Sequence, residues 1–423
     1  MLLRFGTSNF ASFRDFQELS LVASSLKDDQ SDLLESNAIR EKLLAAAVIY
    51  GANAAGKSNL LQAFAFMRDM IVNSHSKSTP TEKIDPPTFA LDPELAAKET
   101  KFDVDFILNS VRYHYGFTVN AAEVLEEWLY AYPEGKRQRW FYRYPNVPFE
   151  FGKGLRGKNR SIEALTRKNS LFLSAGAQNA HEQLSEVYGY FDKNILLDLE
   201  PNTSVPLIND LLSRGKTDER VLNFLKHADV GITGMSADEV TPPEKAKKFM
   251  TEFQTLLRSH FPDSKAEISN TAKRIKFGHV AKNKEVFLGL ESESRGTLRL
   301  LELLNPCFDA LDQGKILLVD ELDASLHTLL AIKLIKLFGS KVTNPKGGQL
   351  IATTHDTNLL CAETLRRDQI WFAEKDEHGA TSLYPLSDIK TRNTDNLEKG
   401  YLQGRFGAVP FLGPIEKLFA PRT

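Results

Sequence analysis

The amino-acid sequence predicts an α/β fold from three patterns that follow one another along the chain. An apolar run at residues 45–50 leads into a glycine loop and then an amphipathic helix. Residues 102–119 alternate between apolar and polar side chains, which is typical of half-buried antiparallel strands. Short apolar strands at 316–319 and 350–353 each run into polar residues. Ligands bind at the carboxyl ends of parallel strands in α/β sheets, so we expect the functional site there.

The composition of the 423 residues is that of a globular protein and excludes several other classes. The 53 Lys and Arg nearly balance 55 Asp and Glu, so no overall field draws the chain towards DNA or a membrane. Cys307 and Cys361 are too few for a disulfide framework, which is typical of a reducing cytosol. The longest apolar stretch, residues 43–50, is far shorter than the roughly 20 residues of a membrane-spanning helix. We therefore expect a cytoplasmic protein without membrane contact.

The remaining elements follow the same reasoning from the N-terminus onwards. Residues 2–5 and 19–23 are predicted to be short strands, and residues 76–98 an exposed loop. Helical spacing of apolar residues extends over 205–261, at Leu211, Leu212, Val221, Leu222, Leu225, Phe249, Phe253, Leu256 and Leu257. The predicted organisation is a first lobe with an antiparallel β subdomain at 1–184, a helical insertion at 185–284, and a second lobe at 285–423.

Residues 51–58 match the phosphate-loop pattern Gly-x-x-x-x-Gly-Lys-Ser in full. The glycines let backbone N–H groups point inward around phosphates, and the following helix N-terminus adds a favourable dipole. Lys57 would reach the β- and γ-phosphates, and the Ser58 hydroxyl would be a Mg²⁺ ligand. The sequence therefore predicts that ATP and Mg²⁺ bind here. The other loop residues expected to bind the nucleotide are Asn53, Ala54, Ala55, Gly56 and Asn59.

Polar residues also follow the two later apolar strands. Asp320, at the tip of strand 316–319, could hold Mg²⁺ through water, and Glu321 could polarise the attacking water. His355 follows strand 350–353 and could contact the γ-phosphate. The structural alternatives are an acidic helix N-terminus and an ordinary strand-end histidine. With the phosphate loop, these residues predict an ATPase that converts ATP and water to ADP and phosphate.

The phosphate loop, acidic strand end and strand-end histidine, in this order, resemble the ABC-type ATPase core of structural-maintenance, recombination-repair and OLD-like proteins. The resemblance implies an ABC-type P-loop NTPase core and a signature segment just before the acidic strand. Ser294 and Gly296 lie at that place, and they would contact the γ-phosphate held by a second subunit. A helix N-cap is the alternative role for Ser294. The resemblance also implies a glutamine after a strand, for which Gln178 after Leu171–Ser174 is the candidate; a surface glutamine is the alternative.

Two segments near the ends of the chain resemble one branch of this family. Ser8-Asn-Phe-x-Ser-Phe13 and the tail Glu398–Pro410 are similar to AAA15-type and OLD-like ATPases of prokaryotic defence loci, including RloA-like, AbiL-like and PARIS ATPase-subunit-like proteins. His327 also fits this branch, because transporter-type members have Asp at that place. The resemblance implies a homodimer or higher homo-oligomer that senses phage infection and gates a separately encoded effector. A TOPRIM-like nuclease is the expected effector, and a phage-derived trigger protein is a further candidate partner.

Residues 136–168 carry ten Lys and Arg, interleaved with the aromatic residues Trp140, Phe141, Tyr142 and Tyr144. Such a stretch could bind nucleic acid or an acidic protein, or it could be a solvated face. Two alternatives to the defence function stay open. One is a RecF- or Rad50-like DNA-repair ATPase that acts directly on DNA. The other is a scaffold that binds ATP without hydrolysing it.

Overall fold

The structure is a computed structural model that describes residues 1–409 with several gaps. The gaps are 27, 29–32, 201–218 except 205, 208 and 212, 229–230, 241–271 except 244, 248 and 252, 283, 362 and 393–394. The chain divides into two compact units. The first comprises Met1–Glu200, Pro306–Asp323 and His327–Thr423, and the second Pro201–Asn305 and Ala324–Leu326. The division into lobes at 184 and 284 stays a prediction.

The described residues form three β-sheets and several helices. The strands, in chain order, are β1 (Leu2–Ser8), β2 (Gln17–Ser20), β3 (Ala46–Tyr50), β4 (Thr100–Leu108), β5 (Val111–Val119), β6 (Val124–Tyr132), β7 (Gln138–Arg143), β8 (Glu150–Phe151), β9 (Ile195–Asp198), β10 (Ile232–Val240), β11 (Ala272–Ala281), β12 (Lys284–Gly289), β13 (Ile316–Val319), β14 (Gln349–Thr353), β15 (Ile370–Lys375) and β16 (Thr381–Pro385). The helices are α1 (Lys57–Asn73), α2 (Pro93–Ala96), α3 (Asn159–Leu165), α4 (Phe172–Gln178), α5 (Glu182–Lys193), α6 (Glu219–His227), α7 (Arg295–Gln313), α8 (Thr328–Gly339) and α9 (Leu397–Leu402).

A six-stranded sheet in the first unit has the order β16-β15-β3-β14-β13-β9. All of its strands are parallel except β16, which pairs antiparallel with β15 at the edge. Every residue of β3, β13 and β14 is buried, as expected of parallel strands covered on both faces. These three strands are neighbours, so their carboxyl ends meet at one edge of the sheet. The α/β fold predicted from the sequence is confirmed.

An antiparallel sheet of seven strands, in the order β2-β1-β4-β5-β6-β7-β8, forms the second layer of this unit. The alternating residues Phe102, Val104 and Phe106 are fully buried, as their period of two predicts. The sheet packs on two helices. Phe5 of β1 lies 4.5 Å from Phe64 of α1 between ring centroids, and Phe106 of β4 lies 4.3 Å from Tyr190 of α5.

Residues 171–174, which the resemblance implies to be a strand, instead form the N-cap and first turn of helix α4, so that expectation was wrong. Glu127 of β6 is fully buried, and its carboxylate accepts hydrogen bonds from the backbone N–H groups of Phe172 and Leu173 at 2.6 and 3.0 Å. These amides belong to the first turn of α4, where a helix offers no internal partner. A run of three apolar residues and a serine cannot reveal such a distant cap, which explains the error.

The second unit contains an antiparallel sheet in the order β10-β11-β12. The sequence predicts a helical insertion at 185–284, whereas the described residues of that range include strands β10 and β11 beside helix α6. Ile275 and Phe277 of β11 are buried, and their spacing of two is typical of a half-buried strand. That spacing is the signal in the sequence that the helical prediction passed over. Five of the predicted helical positions, Leu211, Phe249, Phe253, Leu256 and Leu257, lie outside the described residues.

The two longest helices of the described residues agree with their predicted apolar spacing. Helix α1 has 17 residues and buries Leu60, Leu61 and Phe64 against the core. Helix α7 has 19 residues and contains residues 298–311, whose apolar side chains predict a helix after Gly296. Within the described ranges, no helix is both long and apolar enough to cross a membrane.

Candidate functional site

The phosphate loop connects β3 to α1 through a backbone that needs glycine at its end. Gly56 has a φ of 101°, which side chains rarely allow. A Cβ atom at this position would lie 2.3 Å from Thr381 Oγ1 and 2.6 Å from Ser12 Oγ. Gly56 is therefore required both by its conformation and by the close approach of two hydroxyl groups. Asn53 and Ala54 are exposed at the tip of the loop, whereas Ala55 is buried.

Lys57, the first residue of α1, folds back over its own loop. Its side chain is buried, and Nζ donates hydrogen bonds to the carbonyl oxygens of Gly51 at 2.9 Å and Ala52 at 3.1 Å. Burial lowers the pKa of Lys57, and the carboxylates of Asp320, Asp323 and Glu321 act in the opposite direction. The Lys57 ammonium group therefore lies close enough to the acidic strand end to feel its charge. The sequence predicts that Lys57, Asp320 and Glu321 lie at one site.

The hydroxyl groups of Ser12 and Thr381 lie against the backbone of the phosphate loop. Thr381 Oγ1, on β16, lies 2.8 Å from the Ala55 carbonyl oxygen and 2.7 Å from Ser12 Oγ. Asn59 Nδ2 donates to Ser12 Oγ at 2.7 Å, so the Asn59 side chain faces this cluster. Ser12 belongs to the N-terminal segment that carries the family resemblance. Sequence reasoning missed Thr381, because a single threonine in an edge strand carries no motif.

The acidic strand end follows β13 directly. Asp320 is 8% exposed and accepts a hydrogen bond from Thr353 Oγ1. The next residue, Glu321, has a φ of 52°, and its backbone N–H donates to the same Thr353 hydroxyl at 2.8 Å. The Glu321 side chain is exposed. One carboxylate is therefore held at the strand tip while the other faces solvent, where a water molecule can reach it.

His355 lies two residues beyond the end of β14. Its backbone N–H donates to Asp323 Oδ1 at 3.2 Å, and the neighbouring Thr354 hydroxyl donates to the same oxygen at 2.7 Å. Partial desolvation and the Lys57 ammonium group lower the pKa of His355, against the opposing effect of the nearby carboxylates. The structure therefore brings His355, Lys57 and the acidic strand end together.

The donors at this edge fit a magnesium ion. Mg²⁺ prefers oxygen ligands and usually keeps several of its waters, so it needs few groups from the protein. Ser58 follows Lys57 in the first turn of α1 and offers a hydroxyl, and Asp320 offers a carboxylate. Among the described residues, no three His, Cys, Asp or Glu side chains form a metal cage. The ligands expected from the phosphate-loop motif and the acidic strand end are these two residues and water.

The predicted signature residues lie in the second unit. Ser294 caps α7, because the Thr297 N–H donates to Ser294 Oγ at 3.1 Å and the two hydroxyl groups lie 2.9 Å apart. The Ser294 side chain is exposed. A Cβ atom at Gly296 would lie 2.7 Å from the Ser325 carbonyl oxygen, which explains the glycine. Ser294 therefore has the N-cap role that was its alternative. The contact of Ser294 with a second subunit stays a prediction.

Gln178 does not reach the phosphate loop, so its expected place among the nucleotide-binding residues is corrected. Its side chain is exposed at the end of α4, close to the Tyr188 hydroxyl. The Tyr188 hydroxyl in turn donates to the Val72 carbonyl at 3.1 Å, in the last turn of α1. Val72 lies about 22 Å from Lys57 along the helix axis. The physical reason is that residues 172–178 form a helix at the far end of α1 rather than a strand beside the loop.

The basic residues at 136–168 do not form one open surface. Arg143 and Arg167 donate to backbone carbonyl groups within the fold. Three more have side-chain partners: Arg139 pairs with Glu150, Arg160 pairs with Glu163, and Arg137 lies over the Tyr130 ring. At least half of the ten cations therefore already have partners inside the first unit, which weakens the case for a nucleic-acid surface.

The tail packs on the parallel sheet. The Tyr401 hydroxyl donates to the Ala408 carbonyl at 2.9 Å, and the Tyr384 hydroxyl donates to the Phe406 carbonyl at 2.9 Å. Thr357 Oγ1 donates to Glu398 at 3.2 Å, which joins the tail to the segment after His355. The packing role considered from the sequence is therefore present. Pro410 lies outside the described residues.

Comparison with known proteins assigns this site to a family. Residues 46–361, about three quarters of the chain, match the family described as "AAA domain, putative AbiEii toxin, Type IV TA system". The matched span contains the phosphate loop, the acidic strand end and His355. No curated protein matches the chain. Because the match covers most of the chain and all of the residues that converge at the sheet edge, the chain belongs to this AAA-domain family, and its core is an AAA/ABC-like P-loop ATPase domain.

Proposed function

We propose that the protein is an ABC-type ATPase that hydrolyses ATP to ADP and phosphate. The observation that carries the proposal is the convergence of Lys57, the acidic strand end and His355 at the carboxyl edge of the parallel sheet. A phosphate loop alone would support nucleotide binding. The exposed carboxylate of Glu321 beside it supports a hydrolytic step, because it can accept the proton of the attacking water.

Each residue has a separate task in this reaction. Lys57 exchanges the carbonyl groups of Gly51 and Ala52 for phosphate oxygens, and Ser58 and Asp320 would hold Mg²⁺. The ion supplies positive charge against the phosphate oxygens. Water attacks the γ-phosphorus, its proton passes to Glu321, and the bond to the ADP oxygen breaks. His355 donates a hydrogen bond to the γ-phosphate, so its contact exists only before phosphate leaves.

Steady-state hydrolysis and nucleotide binding by matched variants test this proposal. We expect Glu321→Gln to lower kcat by about a hundredfold or more while ATP still binds. Lys57→Ala should lose both binding and turnover. Glu377→Gln makes the same change on an exposed residue that pairs only with His378 in the described part of the chain, and it should behave as wild type. Equal kcat in wild type and Glu321→Gln would overturn the role of Glu321, and no turnover by the wild-type protein in any condition would instead favour the scaffold that only binds ATP.

We also propose that the active site is completed by a second copy of the chain. Ser294 and Gly296 of one subunit would contact the γ-phosphate bound to the other, so ATP would favour a closed homodimer or higher homo-oligomer. The support is the resemblance of the segment Glu291–Thr297 to an ABC signature and the exposure of the Ser294 side chain at the start of α7. Hydrolysis would remove the γ-phosphate and release the closed state.

The biological role we propose is that of a sensor and scaffold subunit in anti-phage defence, within the AAA15-type and OLD-like branch. The supporting observations are the N-terminal segment at 8–13, the tail at 398–410 and His327, which resemble that branch. The description of the matching family includes the words "putative AbiEii toxin, Type IV TA system". In this proposal the protein is cytoplasmic and gates a separate effector, with a TOPRIM-like nuclease as the expected kind and a phage protein as the trigger.

Partner capture from the native host tests the defence role. Tagged Glu321→Gln protein should hold ATP and retain the effector, whereas Lys57→Ala protein should not. A nuclease-like protein recovered only with Glu321→Gln supports the proposal. Recovery of DNA with replication or repair proteins would support the DNA-repair alternative, for which DNA should also stimulate the ATPase. Charge reversal at Arg156, Lys158 and Arg160 should then abolish that stimulation.

A further inference from the structure

Thr353, the last residue of β14, contacts three successive residues of the acidic strand end. Its side chain is fully buried. Thr353 Oγ1 donates a hydrogen bond to Asp320 Oδ1, and it accepts one from the Glu321 N–H at 2.8 Å. The Thr353 carbonyl accepts the N–H of Leu322 at 2.9 Å. A single oxygen atom of Thr353 therefore contacts both acidic residues that the proposed reaction uses.

The donor and acceptor capacity of a hydroxyl group fixes this arrangement. A hydroxyl has one proton, and the Asp320 carboxylate can only accept it. The lone pairs of the same oxygen then receive the Glu321 N–H. This contact matters because Glu321 has a φ of 52°. Such a backbone conformation costs free energy and persists only where neighbouring contacts hold it. One buried hydroxyl therefore sets the Asp320 carboxylate and the Glu321 backbone relative to each other.

We propose that Thr353 is a positioning residue for ATP hydrolysis. It touches neither the nucleotide nor the attacking water, and acts by orienting Asp320 towards the metal position and Glu321 towards the water. The inference rests on the proposed hydrolytic function. It differs from the role of Thr354, whose hydroxyl donates to Asp323 and so supports the His355 segment.

Substitutions that remove the Thr353 hydroxyl, compared with one that keeps it, separate a positioning role of the hydroxyl from a packing role of the side chain. Thr353→Val keeps the branched shape and removes the hydroxyl, while Thr353→Ser keeps the hydroxyl. Thr353→Ala and Thr353→Ser form a second pair if valine disturbs folding. Thr354→Val is the matched control, since it removes the adjacent buried hydroxyl without touching Glu321.

The first measurement is hydrogen exchange of the 316–326 segment without nucleotide. We expect Thr353→Val and Thr353→Ala to expose the Glu321 amide to faster exchange, and Thr353→Ser and Thr354→Val to leave it protected. The second measurement separates kcat from ATP affinity. Without the hydroxyl, kcat should fall by about tenfold to a hundredfold, the range for a hydrogen bond to a charged group, while ATP affinity without Mg²⁺ stays within about threefold.

The outcomes distinguish this inference from the proposed function. Unchanged Glu321 exchange in both variants that lack the hydroxyl would overturn the positioning role, and so would equal losses of kcat in Thr353→Ser and Thr353→Ala. If wild-type protein shows no hydrolysis, the proposed function fails. The exchange data and the gain in ATP affinity on adding Mg²⁺ then decide the inference, because that gain should be smaller in Thr353→Val than in Thr353→Ser.

Discussion

At the scale of single residues, the phosphate loop depends on groups that lie far from it in sequence. Ser12 and Thr381 meet beneath Gly56, and a hydrogen bond from Thr381 supports the Ala55 carbonyl at 2.8 Å. A loop that binds phosphate through its backbone N–H groups must hold those groups in one arrangement. The hydroxyl cluster therefore gives the loop a rigidity that its own sequence does not provide.

Thr381→Val tests this support. The variant keeps the shape of the side chain but leaves the Ala55 carbonyl without its hydroxyl donor, so we expect ATP affinity to fall by about three- to tenfold, the usual value of one neutral hydrogen bond. Thr381→Ser should bind ATP as wild type does. Titration with a fluorescent ATP analogue measures the effect, and equal affinity of the valine and serine variants would show that the cluster does not support the loop.

A second residue, His181, links the stability of the fold to pH. Its Nδ1 accepts the Leu184 N–H at 3.3 Å, and Nε2 lies 2.9 Å from Asn159 Oδ1, so the ring is neutral with its proton on Nε2. Burial lowers the pKa of His181 below its usual value of 6.5. The unfolded chain therefore binds the proton more readily, and the contribution of His181 to stability is lost as pH falls below about 6.5.

Urea unfolding at pH 7.5 and 5.5 measures this dependence. We expect the midpoint to be lower at pH 5.5, with other groups also contributing. In His181→Asn the side chain can still cap α5 but does not titrate, so the difference between the two pH values should be smaller. An identical difference in wild type and variant would contradict the assignment.

At the scale of whole elements, the parallel strands and α4 show opposite relations between sequence and structure. The apolar strand β13 has the bounds that the sequence predicts, because a buried parallel strand is apolar throughout. Helix α4 was missed, because the buried Glu127 of β6 satisfies its first amides from a distance. The residue pattern is therefore enough to predict the type of an element whose residues are all buried. When a short apolar run fits both a strand and a helix, tertiary contacts determine which of the two forms.

Helix α7 provides a prediction about the signature segment. Asp and Thr can both replace Ser294 as an N-cap, so neither variant should lower the melting temperature strongly. If Ser294 contacts the γ-phosphate of a second subunit, Ser294→Asp should lower kcat by about tenfold or more through charge repulsion. Ser294→Thr should retain most of the activity. Full activity of the stable Ser294→Asp variant would leave Ser294 with its capping role alone.

At the scale of the whole molecule, the proposed composite site makes the assembly state depend on ATP. Light scattering after size exclusion should show a larger mass for Glu321→Gln with ATP and Mg²⁺ than with ADP, because only ATP carries the γ-phosphate that both subunits would contact. Lys57→Ala should have the same mass with either nucleotide. A mass of Glu321→Gln that does not respond to ATP would contradict assembly around the nucleotide.

Residue patterns alone were sufficient to predict the α/β class, the phosphate loop, the acidic strand end and His355. These features are local: a loop motif with its flanking strand and helix, and apolar strands with polar ends, are complete within a few residues of each other. The same locality explains the error at Gln178, since its role required knowing what lies next to α1 in space.

The way in which the site is held in place became visible only in the folded chain. The hydroxyls of Ser12, Thr381 and Thr353 come from three separate parts of the chain, and none of these segments shows the hydrogen-bond partner that its hydroxyl meets in the fold. Their importance arises because folding buries them beside groups that need a hydrogen-bond partner, and an unpaired buried group costs free energy. Such pairings depend on strand order and register, which residue patterns within one segment do not contain.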